Sequence, residues 1–246
     1  MTKVALITGG GTGIGAAAAK ALAADGYRVA ITGRRRERLD EVVAEIQATG
    51  GTALALAGDV SLEVDAFAAV ADCVARFGRL DVVINAAGVN EAGGIADLSL
   101  EQWRRVIEIN LWGTILTTKA ALPHLQAAGG GDIINISSTS GRRAAGLFAS
   151  YSTSKHGVQG FSESIRQELG GQNIRVCVIE PGATESEIGD SISDPKWAAA
   201  IKQHVTKDGA MKAEDIAATI RFILALPRRA NVSQILIRPT IDTAAM

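Results

Sequence analysis

The chain has 246 residues, 47% of them hydrophobic, and a formal net charge of -1. That length supports one sizeable core, and a charge near zero removes the electrostatic footprint that nucleic acid or an anionic membrane would demand. No apolar run reaches the roughly 20 residues of a membrane span, and Met1-Thr2-Lys3 leads straight into a strand, so a soluble, cytoplasmic protein without a signal peptide is expected.

In chain order, an apolar strand at 3–8 stops at the turn Gly9-Gly10-Gly11-Thr12-Gly13-Ile14-Gly15, and an Ala-rich helix follows at 16–25. Further strands are predicted at 27–32, 52–57, 80–85, 132–138, 174–180 and 232–237. Helices are predicted at 35–49, 61–77, 99–122, 151–170 and 214–226, with Ser61 as one N-cap and Ser99 with Gln102 as a capping box. A loop-rich stretch starts at Pro181-Gly182 and precedes the helix at 214. The strands are continuous Val/Ile/Leu/Ala runs that alternate with helices, the pattern of a parallel sheet covered on both faces. No linker, repeat or charge block divides the chain. We therefore expect a single α/β domain, a doubly wound parallel sheet with helices on both faces. Cys73 and Cys177 are isolated and read as buried apolar residues in a reducing compartment. His124, His156 and His204 lie at no metal-ligand spacing, so no metal is expected.

The turn between the first strand and helix is a candidate phosphate cradle, with Gly9, Gly11, Thr12, Gly13, Ile14 and Gly15 as cofactor-binding candidates. Glycines allow a tight turn and let a pyrophosphate approach the helix N-terminus. The second strand ends in Thr32-Gly33-Arg34-Arg35, with no acid before Glu37. An acid there selects the free ribose 2'-hydroxyl of NAD, whereas Arg34 and Arg35 can pair with a 2'-phosphate, so NADPH is expected over NADH. A solvated helix face is the competing reading of both arginines. Asp59-Val60 follows the third strand, where Asp59 can meet an adenine edge, and Asn85-Ala86-Ala87-Gly88 closes the fourth strand beside the expected cleft.

Tyr151 and Lys155 stand four apart at the start of a helix and project from one face. A phenol near pKa ~10 is a poor acid or base at neutral pH, and a neighbouring ammonium is expected to lower that value. Ser138, at the end of the fifth strand, can add a hydroxyl to a substrate oxygen. Taken alone, the pair also suits a core tyrosine and a solvated lysine.

In order and spacing, Thr8-Gly9-x-x-x-Gly13-x-Gly15, Asp59, Asn85-x-Ala87-Gly88, Asn110, Ser138, Tyr151-x-x-x-Lys155 and Pro181-Gly182 resemble the short-chain dehydrogenase/reductase family over nearly the whole chain. The resemblance implies a Rossmann-type fold of about seven parallel strands and a catalytic tetrad of Asn110, Ser138, Tyr151 and Lys155. It implies Tyr151 as general acid/base, Ser138 as binder of the reacting oxygen, and Lys155 as both tuner of Tyr151 and ligand of the nicotinamide ribose. Asn110 would hold a water that relays protons. Pro181 and Gly182 would line the nicotinamide site, with Thr184 or Ser186 on its amide, and 183–211 would be a substrate lid. Ala86 replaces the family's second Asn.

The long helices at 100–122 and 151–170 resemble the family's interface pair, so a homotetramer is expected, although Leu111, Ile115, Phe161 and Ile165 could equally face the sheet. Glu185 and Glu187 in the lid are either solvated or face a cationic substrate. Three functions follow: an NADP(H)-dependent carbonyl reductase or alcohol dehydrogenase acting on a small molecule, a 3-ketoacyl reductase docking its carrier through Arg142 and Arg143, or a silent dinucleotide-binding regulator.

Overall fold

A computed structural model describes residues 2–206 and 209–243. Its seven strands are β1 (Val4–Thr8), β2 (Arg28–Gly33), β3 (Thr52–Ala57), β4 (Val82–Asn85), β5 (Gly131–Ile136), β6 (Ile174–Pro181) and β7 (Gln234–Ile237). They form one parallel sheet in the order β3-β2-β1-β4-β5-β6-β7. The helices are α1 (Gly13–Ala24), α2 (Arg36–Ala48), α3 (Glu63–Phe77), α4 (Leu100–Ile107), α5 (Gly113–Ala127), α6 (Ala149–Leu169), α7 (Pro195–Val205) and α8 (Ala213–Ala225).

β1 shows why the central strands read as unbroken apolar runs. Val4 and Leu6 enter one core, Ala5 and Ile7 enter the other, and none of the four is exposed. The first core gathers α1, α2 and α8 through Leu22, Val42, Ile46, Ile216 and Ile220; the second gathers α3, α5 and α6 through Val70, Phe77, Leu125 and Leu169. Burying each such side chain is worth about 1.5–3 kcal/mol, which fixes both layers against the sheet. Cys73 and Cys177 are free and buried, and burial pushes both thiols up to about 12. Among the described residues, no helix is long and apolar enough to cross a membrane.

Three local readings need correction. The helix expected over 99–122 is α4, a π-helical turn at Glu108–Trp112 and α5, and it continues past Pro123 to Ala127. Proline removes one hydrogen bond to the carbonyl four residues back, here that of Lys119. Ser61 does not cap α3: its amide and hydroxyl both donate to Asp59 Oδ1, and Leu62 takes the N-cap position. The stretch 183–211 is not all loop. It carries a 3-10 turn at Glu187–Ser191 and α7, which Asp194 caps by accepting from Lys196 N and Trp197 N.

Candidate active site

Strands β1 and β4 lie side by side, while the chain leaves β1 towards β2 and β4 towards β5. At such a switch point the loops after the two strands diverge and open a crevice at their carboxyl ends. A cavity of about 450 Å³ occupies it, lined at one end by Gly9, Gly13 and Arg35 and at the other by Ser138, Tyr151 and Lys155. A smaller cavity of about 140 Å³ adjoins it among Gly11, Arg34, Arg38, Asp59 and Val60.

The nucleotide end is built by close backbone approach. Gly9 holds φ +66°, and a Cβ there would lie 2.8 Å from the Ala87 backbone. A Cβ on Gly15 would lie 2.3 Å from the Gly9 carbonyl oxygen, so neither position admits a side chain. Thr8 Oγ1 accepts from Ala86 N and Ala87 N, each at 3.1 Å, and so locks the glycine turn to the turn after β4. Thr12 stands at the N-cap of α1 without a side-chain cap bond. The first N–H groups of that helix are therefore directed at the crevice, where an anion would satisfy them.

Thr12, Gly13, Ile14, Gly15, Ala86, Gly88, Pro181, Gly182, Thr184 and Ser186 all line the main cavity, and Gly11, Asp59 and Val60 the smaller one. Asn85 lines neither. Its amide turns into the core, donating to Asn135 Oδ1 at 2.8 Å and Thr118 Oγ1 at 3.2 Å, so its side chain fixes the strand end. Thr184 and Ser186 differ in placement. The Thr184 hydroxyl donates back to Gly182 O, whereas Ser186 Cβ lies 3.5 Å from where a Gly13 Cβ would be.

At the reaction end, Ser138 follows β5 in extended backbone and Tyr151 and Lys155 sit on the first turns of α6. Lys155 is 4% exposed. It donates to Ile136 O at 2.8 Å, with Nζ 5.6 Å from the Tyr151 ring centroid. Burial pushes the Tyr151 phenol up to about 12, against a hydrogen bond with Ser138 that pulls it down. Burial also lowers Lys155 to about 8. The expectation that Lys155 depresses the phenol is thus not met in this state. Desolvation dominates, and the ammonium is committed to a main-chain carbonyl.

Asn110 lies 1% exposed in the π-helical turn. Such turns leave the regular hydrogen-bond ladder and recur at functional sites. Its amide pairs with Val89 as a strand would, accepting from Val89 N at 2.8 Å and donating to Val89 O at 2.9 Å. It also donates to Ser154 Oγ on α6 at 3.0 Å. Asn110 therefore clamps the loop after β4 against the helix carrying Tyr151. Sequence reasoning missed this clamp because none of its partners is near in sequence.

It also missed Asn90, which is buried in the cavity wall with an amide oxygen that has no hydrogen-bond partner. The segment 183–211 leaves and rejoins the body at one neck, a parallel bridge between Thr184 and Met211. Its far side is anchored by fully buried Glu91, which accepts from Ser193 N and Oγ and from Arg105. Arg142 is not a free docking cation, because its Nε donates to buried Glu180 at 2.8 Å.

The crevice ends at a phenol, a hydroxyl and an ammonium, and the chain resembles known proteins in sequence and fold. The family model for short chain dehydrogenase matches residues 3–197. The short-chain reductase NovJ of Streptomyces niveus is 34% identical over 226 residues, covering 89% of this chain and 86% of that protein. A 3-oxoacyl-[acyl-carrier-protein] reductase of Synechocystis is 34% identical over 232 residues, covering 94% and 92%. The solved structure of an alcohol dehydrogenase from the archaeon Thermococcus sibiricus, complexed with 5-hydroxy-NADP, superposes with a TM-score of 0.89 at 29% identity over 100% of both chains. With its Rossmann-type sheet and that match across most of its length, the chain belongs to the short-chain dehydrogenase family of oxidoreductases.

Proposed function

We propose that the protein is an NADP(H)-dependent carbonyl reductase or alcohol dehydrogenase acting on a small molecule, with NADPH preferred over NADH. The observation that carries this reading is the single cavity joining Gly9, Gly13 and Arg35 to Ser138, Tyr151 and Lys155. The nicotinamide, when bound, supplies or accepts the hydride. The chain supplies position and a proton. Ser138 Oγ donates a hydrogen bond to the carbonyl oxygen, and Tyr151 transfers its phenolic proton to that oxygen as the alcohol forms. In the reverse direction the phenolate takes the hydroxyl proton. Lys155 binds the nicotinamide ribose and places its ammonium beside the phenolate. Asn110 positions α6 and the loop after β4, Asn90 offers its amide to a polar group of the substrate, and 183–211 closes over it as a lid. A homotetramer, with α4–α5 and α6 at its interfaces, completes the proposal; a monomeric mass by light scattering would remove that part.

NADPH preference rests on Arg34 and Arg35 beside the smaller cavity. Replacing both by Asp is expected to reverse the NADPH to NADH affinity ratio, shifting it by about 10²-fold or more, since two charge-assisted contacts are lost and like charges face the phosphate. An unchanged ratio in paired titrations would remove the assignment.

The Synechocystis relative supports a second reading, reduction of a 3-ketoacyl thioester. The Arg142–Glu180 pair weighs against it by consuming part of the basic patch that a carrier protein would use. Assaying NADPH oxidation with simple ketones, a 3-ketoester and a 3-ketoacyl thioester tests the function itself. Turnover of the small carbonyl compounds is expected. Exclusive turnover of the thioester would favour the second reading, and no turnover of any would overturn the first.

A further inference from the structure

The lid crosses the glycine turn at Ser186, and the next residue, Glu187, reaches the arginine cluster. Its Oε2 lies 2.9 Å from Arg35 Nη2 and its Oε1 3.6 Å from Arg38 Nη2. One carboxylate thus spans two guanidinium groups from residues that line the adenosine-side cavity. In the NADPH reading a ribose 2'-phosphate presents its oxygens to Arg35, whereas Arg38 is also paired with Glu41 at 3.1 Å. Resting on that reading, we propose that Glu187 is a cofactor-selectivity residue, an internal anion that holds Arg35 until a 2'-phosphate displaces it.

Within 187–193 two attachments are held very differently. The Ser191–Ser193 end is tied to fully buried Glu91 and to Arg105, whose Nη2 donates to both Glu91 and Ser191 O. The Glu187 end is held by a pair whose side chains are 58% and 36% exposed. Exposed ion pairs are weak, whereas buried carboxylates with several donors are hard to break. Opening therefore starts at Glu187 and hinges at the Glu91 anchor.

A phosphate carrying about -1.5 to -2 charges and three acceptor oxygens outcompetes one carboxylate for Arg35. NADPH frees the Glu187 end. NADH carries no such group and leaves Glu187 latched across the crevice. The residue taxes NADPH alone, and cofactor choice and lid position become one linked equilibrium.

The test pairs titrations of wild type and Glu187→Gln with NADPH and NADH against hydrogen exchange of wild type with 2',5'-ADP or ADP. We expect Glu187→Gln to raise the NADPH to NADH affinity ratio about 2- to 5-fold, as removal of a weak exposed competitor predicts. Amides 187–191 should exchange faster with 2',5'-ADP than with ADP. An unchanged ratio, an equal loss for both cofactors, or identical exchange with the two nucleotides would overturn the proposal. A wild-type protein without NADPH preference would fail the earlier reading on its own, because the effect of Glu187→Gln on the ratio is read separately.

Discussion

Tyr151→Phe is expected to lower the turnover of carbonyl reduction by about 10²- to 10⁴-fold, the usual contribution of a positioned acid, while NADPH binds within a few-fold of wild type. The ring fills the same buried site, so only the proton and its bond with Ser138 are lost. Loss of NADPH binding together with activity would show a packing role instead. The direction of the pKa shifts adds a pH signature. With the phenol pushed up to about 12, Tyr151 holds its proton across the working range, the state that reduction needs. Alcohol oxidation needs the phenolate, so its rate should climb with pH as reduction does not. Lys155, lowered to about 8, loses its charge first as pH rises. Reduction should therefore decline above about pH 8, where the ammonium that supports the phenolate disappears.

Lys155→Met is expected to abolish useful turnover and, at the same time, to stabilise the fold. The ammonium is buried, and among the described residues its hydrogen-bond acceptor is Ile136 O. Its pKa falls from 10.5 to about 8 on folding, so the unfolded chain binds the extra proton between those values. Stability then rises with pH through that window, and the penalty of burying the charge is full below about pH 8. A shift of that size corresponds to about 3 kcal/mol. Leaving the Ile136 carbonyl unpaired returns roughly 1 kcal/mol of that. The net gain of about 2 kcal/mol should raise the thermal midpoint at pH 7 by about 4–8 °C. Melting curves at pH 7 and pH 10 check the sign: the advantage of the variant should shrink at the higher pH. A variant less stable than wild type at pH 7 would show that Lys155 is held by more than one carbonyl.

The parts of this fold that the sequence reveals are those governed by short-range rules. Continuous apolar strands announce a sheet buried on both faces, and the glycine turn marks its first crossing into a helix. Tyr151 and Lys155 share a face because four residues span about one helical turn. What stays hidden depends on groups remote in sequence. Ser61 looks like a helix cap until Asp59 takes both of its donors. Asn85 sits in a cofactor motif, yet the nearby amide of Asn135 and hydroxyl of Thr118 claim its side chain. The reversed shift of Tyr151 follows from burial, which no spacing encodes. Glu187 reads as a loop acid because the arginines that hold it lie on the opposite side of the crevice and far back in the chain. The helix α7, which a loop-rich reading passes over, does carry a visible local signal, Asp194-Pro195, an N-cap followed by a first-turn proline.

The most direct measurement is equilibrium titration of the wild-type protein with NADPH and NADH, followed by nicotinamide fluorescence. Saturable binding of both is expected, with NADPH about 10-fold or more tighter because its 2'-phosphate meets Arg34 and Arg35. NADH binding as tightly as NADPH would contradict the role given to those arginines, and binding of neither would contradict the crevice as a dinucleotide site.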